Sequence, residues 1–264
     1  MRFNVLGSGS SGNATLVAAG ETCVLVDCGL SARELARRVV EVGETVDRLA
    51  AIVITHEHSD HIRGLTGLVK GLNIPVFISP LASTAARIAS TDRACQLMAG
   101  VDSQQPFEIG PLLFRPVRVP HDAADPLVFT IEATGAKIAI VTDLGYIPKT
   151  VAEQLRGCDA LVLEANHDLD RLKASSYPWA LKQRVMSRLG HLSNNEMARF
   201  LREDYDGSAR HIVLAHLSRE NNHPEIARLA ASEALAARAP LFQTLEQERL
   251  EIARHDRPLG WIEL

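Results

Sequence analysis

Three histidines and one aspartate lie within six residues of one another, at His56, His58, Asp60 and His61. Neutral imidazole rings and a carboxylate, without a thiolate, suit zinc, manganese, iron or nickel better than calcium or magnesium. Because residues two apart in a turn can point the same way, His56 and His58 could share one ion, and Asp60 and His61 would face a second. A polar loop whose histidines only form hydrogen bonds is the alternative, but four such residues at this spacing favour a metal site.

This cluster is expected to follow a buried strand and to precede a helix. Ala51–Thr55 is a short apolar run rich in β-branched residues, which is typical of a buried strand. Ile62–Leu72 has apolar residues at helical spacing. Proteins of the α/β class place their chemistry at such strand ends. The sequence therefore predicts that a strand positions the cluster.

Potential metal ligands also follow other predicted strands. His121, Asp143 and His216 each come just after one, and Asp27 follows a further strand close to a glycine. An aspartate before glycine is often only a turn former, so each residue is weak evidence alone. A site for two metals needs more ligands than the first cluster supplies. The recurrence of histidine or aspartate at strand ends therefore favours a functional interpretation.

Strand-like and helical segments alternate along the chain, and no linker or repeat divides it, so we expect a single domain over residues 1–264. The predicted strands are Arg2–Leu6, Ala14–Ala18, Thr22–Asp27, Ala51–Thr55, Val76–Ile78, Leu112–Val117, Val128–Ala133, Lys137–Thr142, Ala160–Glu164, His211–Ala215, Leu241–Gln243, Leu250–Ile252 and Gly260–Glu263. Helices are expected after the capping residues Ser31 and Ser193 and over Pro224–Ala239. Ala99–Pro111 is expected to be a loop, and Asp168–Gly190 either a substrate-facing flap or a solvated helix pair.

The composition is that of an ordinary globular protein, with 46% hydrophobic residues and a mean hydropathy near zero. There is no apolar run long enough to span a membrane and no signal-like N-terminus, so we expect a cytoplasmic protein. The net charge of −4 gives no general attraction to nucleic acid. The four cysteines form no C-x-x-C pair and are expected to be reduced core thiols: Cys23, Cys28, Cys95 and Cys158.

In order and context, these potential ligands resemble the metallo-β-lactamase fold superfamily along essentially the whole chain: His56, His58, Asp60, His61, His121, Asp143 and His216, with Asp27 upstream. The resemblance implies an α/β fold, a four-layer αββα sandwich, with two divalent ions, of which zinc is most expected and manganese, nickel or iron are alternatives. It implies that one ion is held by His56, His58 and His121. The second would be held by Asp60, His61 and His216, with Asp143 bridging the two and Asp27 ordering the cluster loop through hydrogen bonds.

Four further motifs are similar to the phosphodiesterase and nuclease branch of this superfamily, most of all to the YycJ/WalJ group of bacterial proteins: Gly7–Asn13, Glu164–Asp168, His191–Asn194 and His216–Asn222. That group is associated with 5′→3′ exonuclease action on DNA. The resemblance therefore implies a phosphodiester hydrolase with nucleic acid, DNA above all, as its substrate.

In the mechanism that this resemblance implies, a hydroxide bridging the two ions attacks phosphorus. Asp60 and His191 are the expected catalytic residues, and His191 would stabilise the developing charge or protonate the leaving oxygen. Phosphate contacts are expected from His167, Ser193 and Arg219, with a structural role as the alternative for His167 and Arg219. Two other functions stay open: a small-molecule hydrolase of a thioester, lactone or cyclic phosphodiester, and a non-catalytic metal-binding module.

Overall fold

The computed structural model of this protein describes residues 1–87, 97–238 and 250–264. Its strands are β1 Arg2–Gly7, β2 Ala14–Ala19, β3 Thr22–Val26, β4 Leu49–Val53, β5 Val76–Ile78, β6 Met98–Gly100, β7 Phe107–Ile109, β8 Leu112–Arg118, β9 Leu127–Ala133, β10 Ala136–Val141, β11 Ala160–Glu164, β12 His211–Ala215, β13 Leu250–Ile252 and β14 Ile262–Glu263. Its helices are α1 Ala32–Glu41, α2 Ser59–Ile62, α3 Leu65–Val69, α4 Pro80–Ala85, α5 Lys149–Gln154, α6 Leu169–Ala174, α7 Trp179–Val185, α8 Asn194–Glu203 and α9 Pro224–Arg238. The predicted strand Leu241–Gln243, the predicted helix end at Ala239, and Cys95 lie outside the described residues.

The strands form two mixed sheets flanked by helices. One sheet has the order β14-β1-β2-β3-β4-β5-β6, antiparallel from β14 to β3 and parallel from β3 to β6. The other has the order β13-β12-β11-β10-β9-β8-β7, antiparallel from β7 to β9 and parallel from β10 to β13. Parallel neighbours bring their carboxyl ends to the same sheet edge. The residues after β3 and β4 therefore lie together, as do those after β10, β11 and β12.

Two compact units divide the chain. The first comprises Met1–Arg118, Ala123–Ala136 and Arg254–Leu264, and the second comprises Val119–Asp122 and Lys137–Ala253. The ends of β3 and β4 belong to the first unit, and the ends of β10, β11 and β12 belong to the second. The expectation of a single domain stays a prediction.

Helix α1 packs its apolar side into the core of the first unit, where Leu35 and Val39 are fully buried. Ser31 begins this helix as predicted, since its Oγ accepts the backbone N–H of Glu34 at 3.3 Å. The Glu34 carboxylate also pairs with the buried guanidinium of Arg38 at 2.7 Å. The helix is therefore held to the unit both by apolar packing and by a buried cation.

The elements around the first cluster differ from their predicted bounds. The strand predicted over Ala51–Thr55 is displaced by two residues and ends at Val53, because the Thr55 backbone N–H donates to the Asp27 side chain rather than to a neighbouring strand. The helix predicted over residues 62–72 is divided into α2 and α3 at Gly64. A Cβ added to Gly64 would lie 2.2 Å from the Leu30 carbonyl oxygen, so the chain packs backbone against backbone there.

The segment Asp168–Gly190 of the second unit folds as the two short helices α6 and α7. The Nζ atom of Lys182 donates to the backbone carbonyls of Lys173 and Ser175, each at 2.6 Å, and so ties the two helices together. This arrangement favours the helix pair over the flap. Ser193 begins α8 as predicted, because its Oγ accepts a backbone N–H from the first turn at 3.2 Å.

The prediction of a loop over Ala99–Pro111 is wrong in part, because this segment includes β7 and the end of β6. Both strands have three residues. β6 has no β-branched residue and β7 follows Pro106 directly, so neither gives the sequence signal of a strand.

Two expectations drawn from composition concern thiols and membranes. Cys23, Cys28 and Cys158 are buried and form no disulfide. Burial raises the pKa of Cys23 to about 12 and also raises that of Cys28, so these two thiols are protonated core residues. Within the part of the chain that the structure describes, no helix is long and apolar enough to cross a membrane.

Candidate metal centre

The histidines that follow β4 gather into one cluster in the first unit. The ring centroid of His56 lies 4.6 Å from that of His58 and 4.1 Å from that of His61. His56 and His61 are buried, and His58 is half-buried. Asp60 lies in the same turn, with its Oδ2 atom 3.7 Å from the Nε2 atom of His61. The sequence prediction that these four side chains lie together is therefore met within this unit.

Asp27 orders this cluster from the end of β3. Its Oδ2 atom lies 2.8 Å from the Nδ1 atom of His61, and its Oδ1 atom accepts hydrogen bonds from the backbone N–H and hydroxyl of Thr55 at 2.9 and 3.0 Å. The Thr55 hydroxyl also lies 3.0 Å from the Nδ1 atom of His56. These bonds orient both rings through Nδ1, which leaves Nε2 as the ring atom directed away from Asp27 and Thr55. This is how histidine ligands are commonly held.

Asn13 was not singled out from the sequence, yet it contacts the same cluster. Its Nδ2 atom lies 3.0 Å from the Nε2 atom of His61, and its backbone N–H donates to the carbonyl of Asp60 at 2.8 Å. Its Oδ1 atom accepts the backbone N–H of Gly9 at 2.7 Å. The Gly-Ser loop of the sequence is thus joined to the cluster by a side chain at its end.

A second cluster occupies the second unit, at the ends of β10, β11 and β12. Asp143, Glu164, His191 and His216 offer potential ligand atoms that all lie within 4.8 Å of one another. One oxygen of Glu164, Oε1, lies 2.9 Å from the Nδ1 atoms of both His191 and His216. Its other oxygen accepts the backbone N–H of Leu144 at 3.0 Å. Glu164 is fully buried, and its hydrogen bonds to both rings fix their orientation.

The electrostatics of this cluster favour an ion pair between Glu164 and His191. Burial alone would raise the pKa of the Glu164 carboxyl, but the positive charge and hydrogen bond of His191 hold it below its usual value. Burial would likewise lower the pKa of His191, and the Glu164 carboxylate outweighs this and raises it. The Glu164 carboxylate therefore favours the protonated form of His191, whose side chain is 24% exposed.

His121 completes the potential ligands of the second unit. Its Nδ1 atom lies 3.0 Å from the carbonyl oxygen of Gly190, and its ring centroid lies 5.2 Å from that of His191. Burial above all lowers the pKa of His121, so the ring is neutral. A neutral imidazole whose Nδ1 donates to a backbone carbonyl has the form that a metal ligand needs.

The three expected phosphate contacts differ in their surroundings. His167 is buried, which favours the structural alternative. Burial lowers its pKa to about 4, and its ring nitrogens have no hydrogen-bond partner among the described residues. Ser193 uses its hydroxyl as the cap of α8 and forms a backbone bridge with His167. Arg219 is exposed, in the segment that follows His216.

Three of the site residues adopt backbone conformations that only glycine accepts readily. Asp27, Asp143 and His216 have φ angles of 62°, 63° and 55°. A left-handed conformation costs a non-glycine residue roughly 1–3 kcal/mol and recurs at functional sites. In each case the chain has just left a parallel strand, and the reversal of φ turns the side chain toward its cluster rather than along the strand.

Glu164, like Asn13, is a candidate site residue that the sequence reasoning did not assign. The same signal that identified Asp143 and His216 was present, because Glu164 is the last residue of a predicted strand. Its burial sets it apart from a turn former. An acidic residue that ends an otherwise apolar buried strand, and still belongs to that strand, is therefore the sequence signal that could have identified Glu164.

A family model described as a beta-lactamase superfamily domain matches residues 22–217 of this chain. The chain is 32% identical over 243 residues to exodeoxyribonuclease YycJ of Bacillus anthracis, across 89% of either protein. It is 33% identical over 243 residues to exodeoxyribonuclease WalJ of Streptococcus pneumoniae, across 89% of this chain and 88% of that protein. Among solved structures, the metallo-beta-lactamase fold protein YhfI of Bacillus subtilis matches with a TM-score of 0.71 at 18% identity, over 98% of this chain and 99% of that one. Zinc-bound PqqB of Methylobacterium extorquens matches with a TM-score of 0.70 at 17% identity, over 98% and 100%.

Proposed function

Because this chain belongs to the β-lactamase superfamily, we propose that it is a metal-dependent hydrolase of phosphodiester bonds that degrades DNA from its 5′ end. The two exodeoxyribonucleases that are similar to 89% of the chain support this substrate. The observation that carries the phosphodiester chemistry is His191. Its partly exposed ring lies with Nδ1 2.9 Å from the fully buried Glu164 carboxylate, which raises the pKa of His191 and so favours a proton donor suited to a phosphate.

The donor sets of both clusters fit divalent metal ions. Imidazoles oriented through Nδ1 and carboxylates at buried strand ends are the ligands that zinc, manganese, nickel and iron accept. We propose the assignment that the sequence resemblance implies, with zinc as the first candidate: one ion on His56, His58 and His121, the other on Asp60, His61 and His216, and Asp143 shared. Such a pair of ions, when bound, lowers the pKa of water to about 7 and offsets the charge of a phosphate.

His191 has two separable tasks in this proposal. Its Nδ1 atom is engaged by Glu164, so Nε2 is the donor directed away from the buried carboxylate. From Nε2 the imidazolium can donate a hydrogen bond to a phosphate oxygen and then a proton to the leaving oxygen of the sugar. A positioned general acid contributes roughly 10²–10⁴-fold to the rate. Glu164 is a positioning residue, since it acts through His191.

Ser193 and Arg219 are retained as proposed phosphate contacts. The backbone N–H groups at the start of α8 lie next to the Ser193 cap, and helix N-termini suit anions. Arg219 is exposed and carries a charge that can pair with phosphate. His167, with its buried ring, is proposed to support the loop after β11 rather than to contact substrate.

The test is the degradation of 5′- and 3′-labelled DNA and RNA by metal-reconstituted protein. We expect metal-dependent loss of DNA, with the label position showing 5′→3′ polarity, and no loss for the Asp60→Ala, His61→Ala double variant. His191→Ala should keep its metal content but lose most turnover, whereas His223→Ala, at an exposed histidine outside both clusters, serves as the matched control. Hydrolysis of thioesters, lactones or cyclic phosphodiesters without degradation of any strand would instead establish the small-molecule hydrolase.

A further inference from the structure

The helix pair α6–α7 of the second unit exposes cationic and aromatic side chains on the residues that lead to His191. We define the α6–α7 surface by the exposed residues Arg171, Lys173, Trp179, Arg188 and Leu189 and the half-buried Tyr177. Trp179 is 62% exposed and Leu189 is 51% exposed, both large for apolar side chains. An exposed tryptophan offers a flat aromatic face on which a base can stack.

This surface is positive although the chain is negative overall. Five lysines and arginines and no acidic residue occur between residues 171 and 195, in a chain whose net charge is −4. Some of these positive charges have partners close by. Arg184 pairs with Asp122, and the Lys173 Nζ atom lies 3.8 Å from an Asp170 carboxylate oxygen. Lys182 is buried and donates to two backbone carbonyls. The exposed charges of Arg171 and Arg188 remain at either end of the helix pair.

Arg188 is held in an orientation that suits a phosphate. Its guanidinium carbon lies 4.2 Å from the ring centroid of Tyr146. Stacking uses the face of a guanidinium, and its N–H donors lie in the plane, so they stay directed outward. A stacked arginine of this kind presents two parallel donors to an anion at little cost in side-chain entropy.

Close backbone packing fixes the surface against the His191 site. A Cβ added to Gly145, which follows Asp143 and Leu144, would lie 2.3 Å from the carbonyl oxygen of Arg188. A Cβ added to Gly190 would lie 2.2 Å from the carbonyl oxygen of Val185. The His191 backbone N–H donates to that same carbonyl at 3.0 Å. Helix α7 and His191 are therefore one rigid piece.

We propose that this surface binds a single strand of nucleic acid leading into the His191 site, with Trp179 stacked on a base and Arg188 on a phosphate. The proposal deepens the nuclease function and rests on it. Trp179 and Val185 are the two ends of α7, about 9 Å apart along its axis. The Val185 carbonyl accepts the His191 backbone N–H, so this helix spans the distance between the stacked base and the His191 site.

The chemistry of the surface favours a single strand over a duplex or a protein. A tryptophan can stack on a base only where that base is not already stacked between its neighbours, as in an unpaired strand. Exposed cations around it match the phosphates of the same strand. Stacking on a base does not depend on which base it is, so binding is expected to depend little on sequence.

The experiment measures the affinity of the metal-loaded protein for a fluorescein-labelled, phosphorothioate-linked dT 12-mer and for the matching duplex by fluorescence anisotropy. Trp179→Ala should weaken strand binding roughly tenfold or more, the loss of one stacked base. Arg188→Gln should lower the slope of log affinity against log salt by about 0.7, the loss of one single-strand phosphate contact. The matched controls are Leu229→Ala, a similarly exposed apolar residue on α9, and Arg202→Gln on α8, which should bind as the wild type does.

Strand affinity and salt slope that are the same in Trp179→Ala, Arg188→Gln and the controls would overturn the proposal, as would a preference for the duplex. A change in self-association alone, seen by light scattering of Trp179→Ala, would make the surface a protein interface and overturn it too. Equal melting temperatures of variants and controls show that folding is intact. The nuclease function is tested separately by the degradation assay. It fails if labelled DNA stays intact in the presence of the metal-loaded wild-type protein, whatever the binding result.

Discussion

A single carboxylate oxygen of Glu164 accepts hydrogen bonds from two histidine rings, and the two rings have different proposed roles. His216 is a proposed metal ligand, and His191 is a proposed proton donor. Both present Nδ1 to Glu164, so both have Nε2 on the side away from it. A single buried side chain thus sets the direction of two reactive atoms, and a small displacement of Glu164 would move both together.

Replacing Glu164 by glutamine should lower turnover on phosphodiester substrates roughly 10–100-fold, the usual cost of losing a residue that orients a ligand. Glutamine keeps the shape but removes the negative charge that raises the pKa of His191. The measurement is the turnover number together with metal content per chain. Glu153→Gln, in α5 of the same unit, is the matched control. Wild-type turnover in Glu164→Gln would show that the buried carboxylate does not act through His191.

Asp27→Asn should weaken metal retention while preserving the fold. Asparagine tolerates the left-handed backbone that Asp27 adopts at a φ of 62° and still accepts from Thr55, so the local structure has little reason to change. The carboxylate that polarises the His61 ring is lost, and metal affinity should fall roughly 10–100-fold. Competition against a zinc chelator measures this, with the melting temperature of the metal-free variant as the control. Unchanged competition would exclude Asp27 from ordering the cluster.

Residue types could be predicted from the sequence, and their conformations could not. The side chains of His56, His58 and His61 gather in one unit as their spacing predicted, and Asp143 and His216 gather in the other. The positive φ angles of Asp27, Asp143 and His216 could not be predicted, since no pattern in residue types encodes strain that the surrounding packing imposes. Asn13 was missed for a related reason: its contact with His61 joins residues far apart in the chain.

At the scale of elements, helix α1 shows how a partly buried charge ties a helix to its unit. Arg38 donates to the carbonyls of Leu6 and His255, at 2.7 and 2.9 Å, and pairs with Glu34. The hydrogen bond from Arg37 above all, and that from Arg38, lower the pKa of Glu34 to about 2 against the raising effect of burial. A carboxyl whose pKa is lower in the folded state than in the unfolded state stabilises the fold above its unfolded pKa.

The stabilisation from Glu34 should therefore be complete above about pH 4.5 and should be lost as the pH falls toward 2. Thermal melting of the wild type and of Glu34→Gln between pH 6 and pH 3 measures it, and the difference in melting temperature should narrow as the pH falls. Glu41→Gln, at the other end of α1, is the control, with a smaller difference at each pH. A difference that stays constant across this range would contradict the assignment.

The strands were the elements that the sequence predicted best. Val76–Ile78, Ala160–Glu164, His211–Ala215 and Leu250–Ile252 are found with their predicted bounds. The first three are nearly continuous apolar runs, which is the pattern of buried parallel strands. The predicted αββα class is confirmed by two mixed sheets flanked by helices and by the similarity to metallo-β-lactamase fold structures. The sequence analysis missed β6, β7 and the helix break at Gly64. These features depend on contacts with residues distant in sequence and not on local periodicity.

At the scale of the whole molecule, the first unit is closed by a chain segment distant in sequence. Arg254–Leu264 returns to it, where β14 pairs with β1. The Ser8 backbone N–H donates to the Arg254 carbonyl at 3.2 Å, and Nε1 of Trp261 donates to the Val42 carbonyl at 2.9 Å. The segment also supplies one of the acceptors of the buried Arg38 guanidinium.

Deleting residues 254–264 should destabilise the first unit and promote aggregation. The deletion leaves the outer edge of β1 unpaired and removes one acceptor from Arg38, and an unmet buried donor alone costs roughly 1–3 kcal/mol. We expect a melting temperature lower by at least several degrees and increased light scattering. Trp261→Phe, which removes a single hydrogen bond, is the milder control. A truncated protein that melts like the wild type would show that the segment adds nothing to stability.

The strands β1 and β14 pair with each other but are translated far apart in time. The Leu264 backbone N–H donates to the Met1 carbonyl, so the strand translated first receives its outer neighbour about 250 residues later. At roughly 5–20 residues per second, a ribosome needs about 12–50 s to supply it. Throughout that interval the nascent chain exposes an open sheet edge, a template for pairing with other chains. A circular permutant that joins residue 264 to residue 1 would translate both strands within seconds of each other and remove the wait.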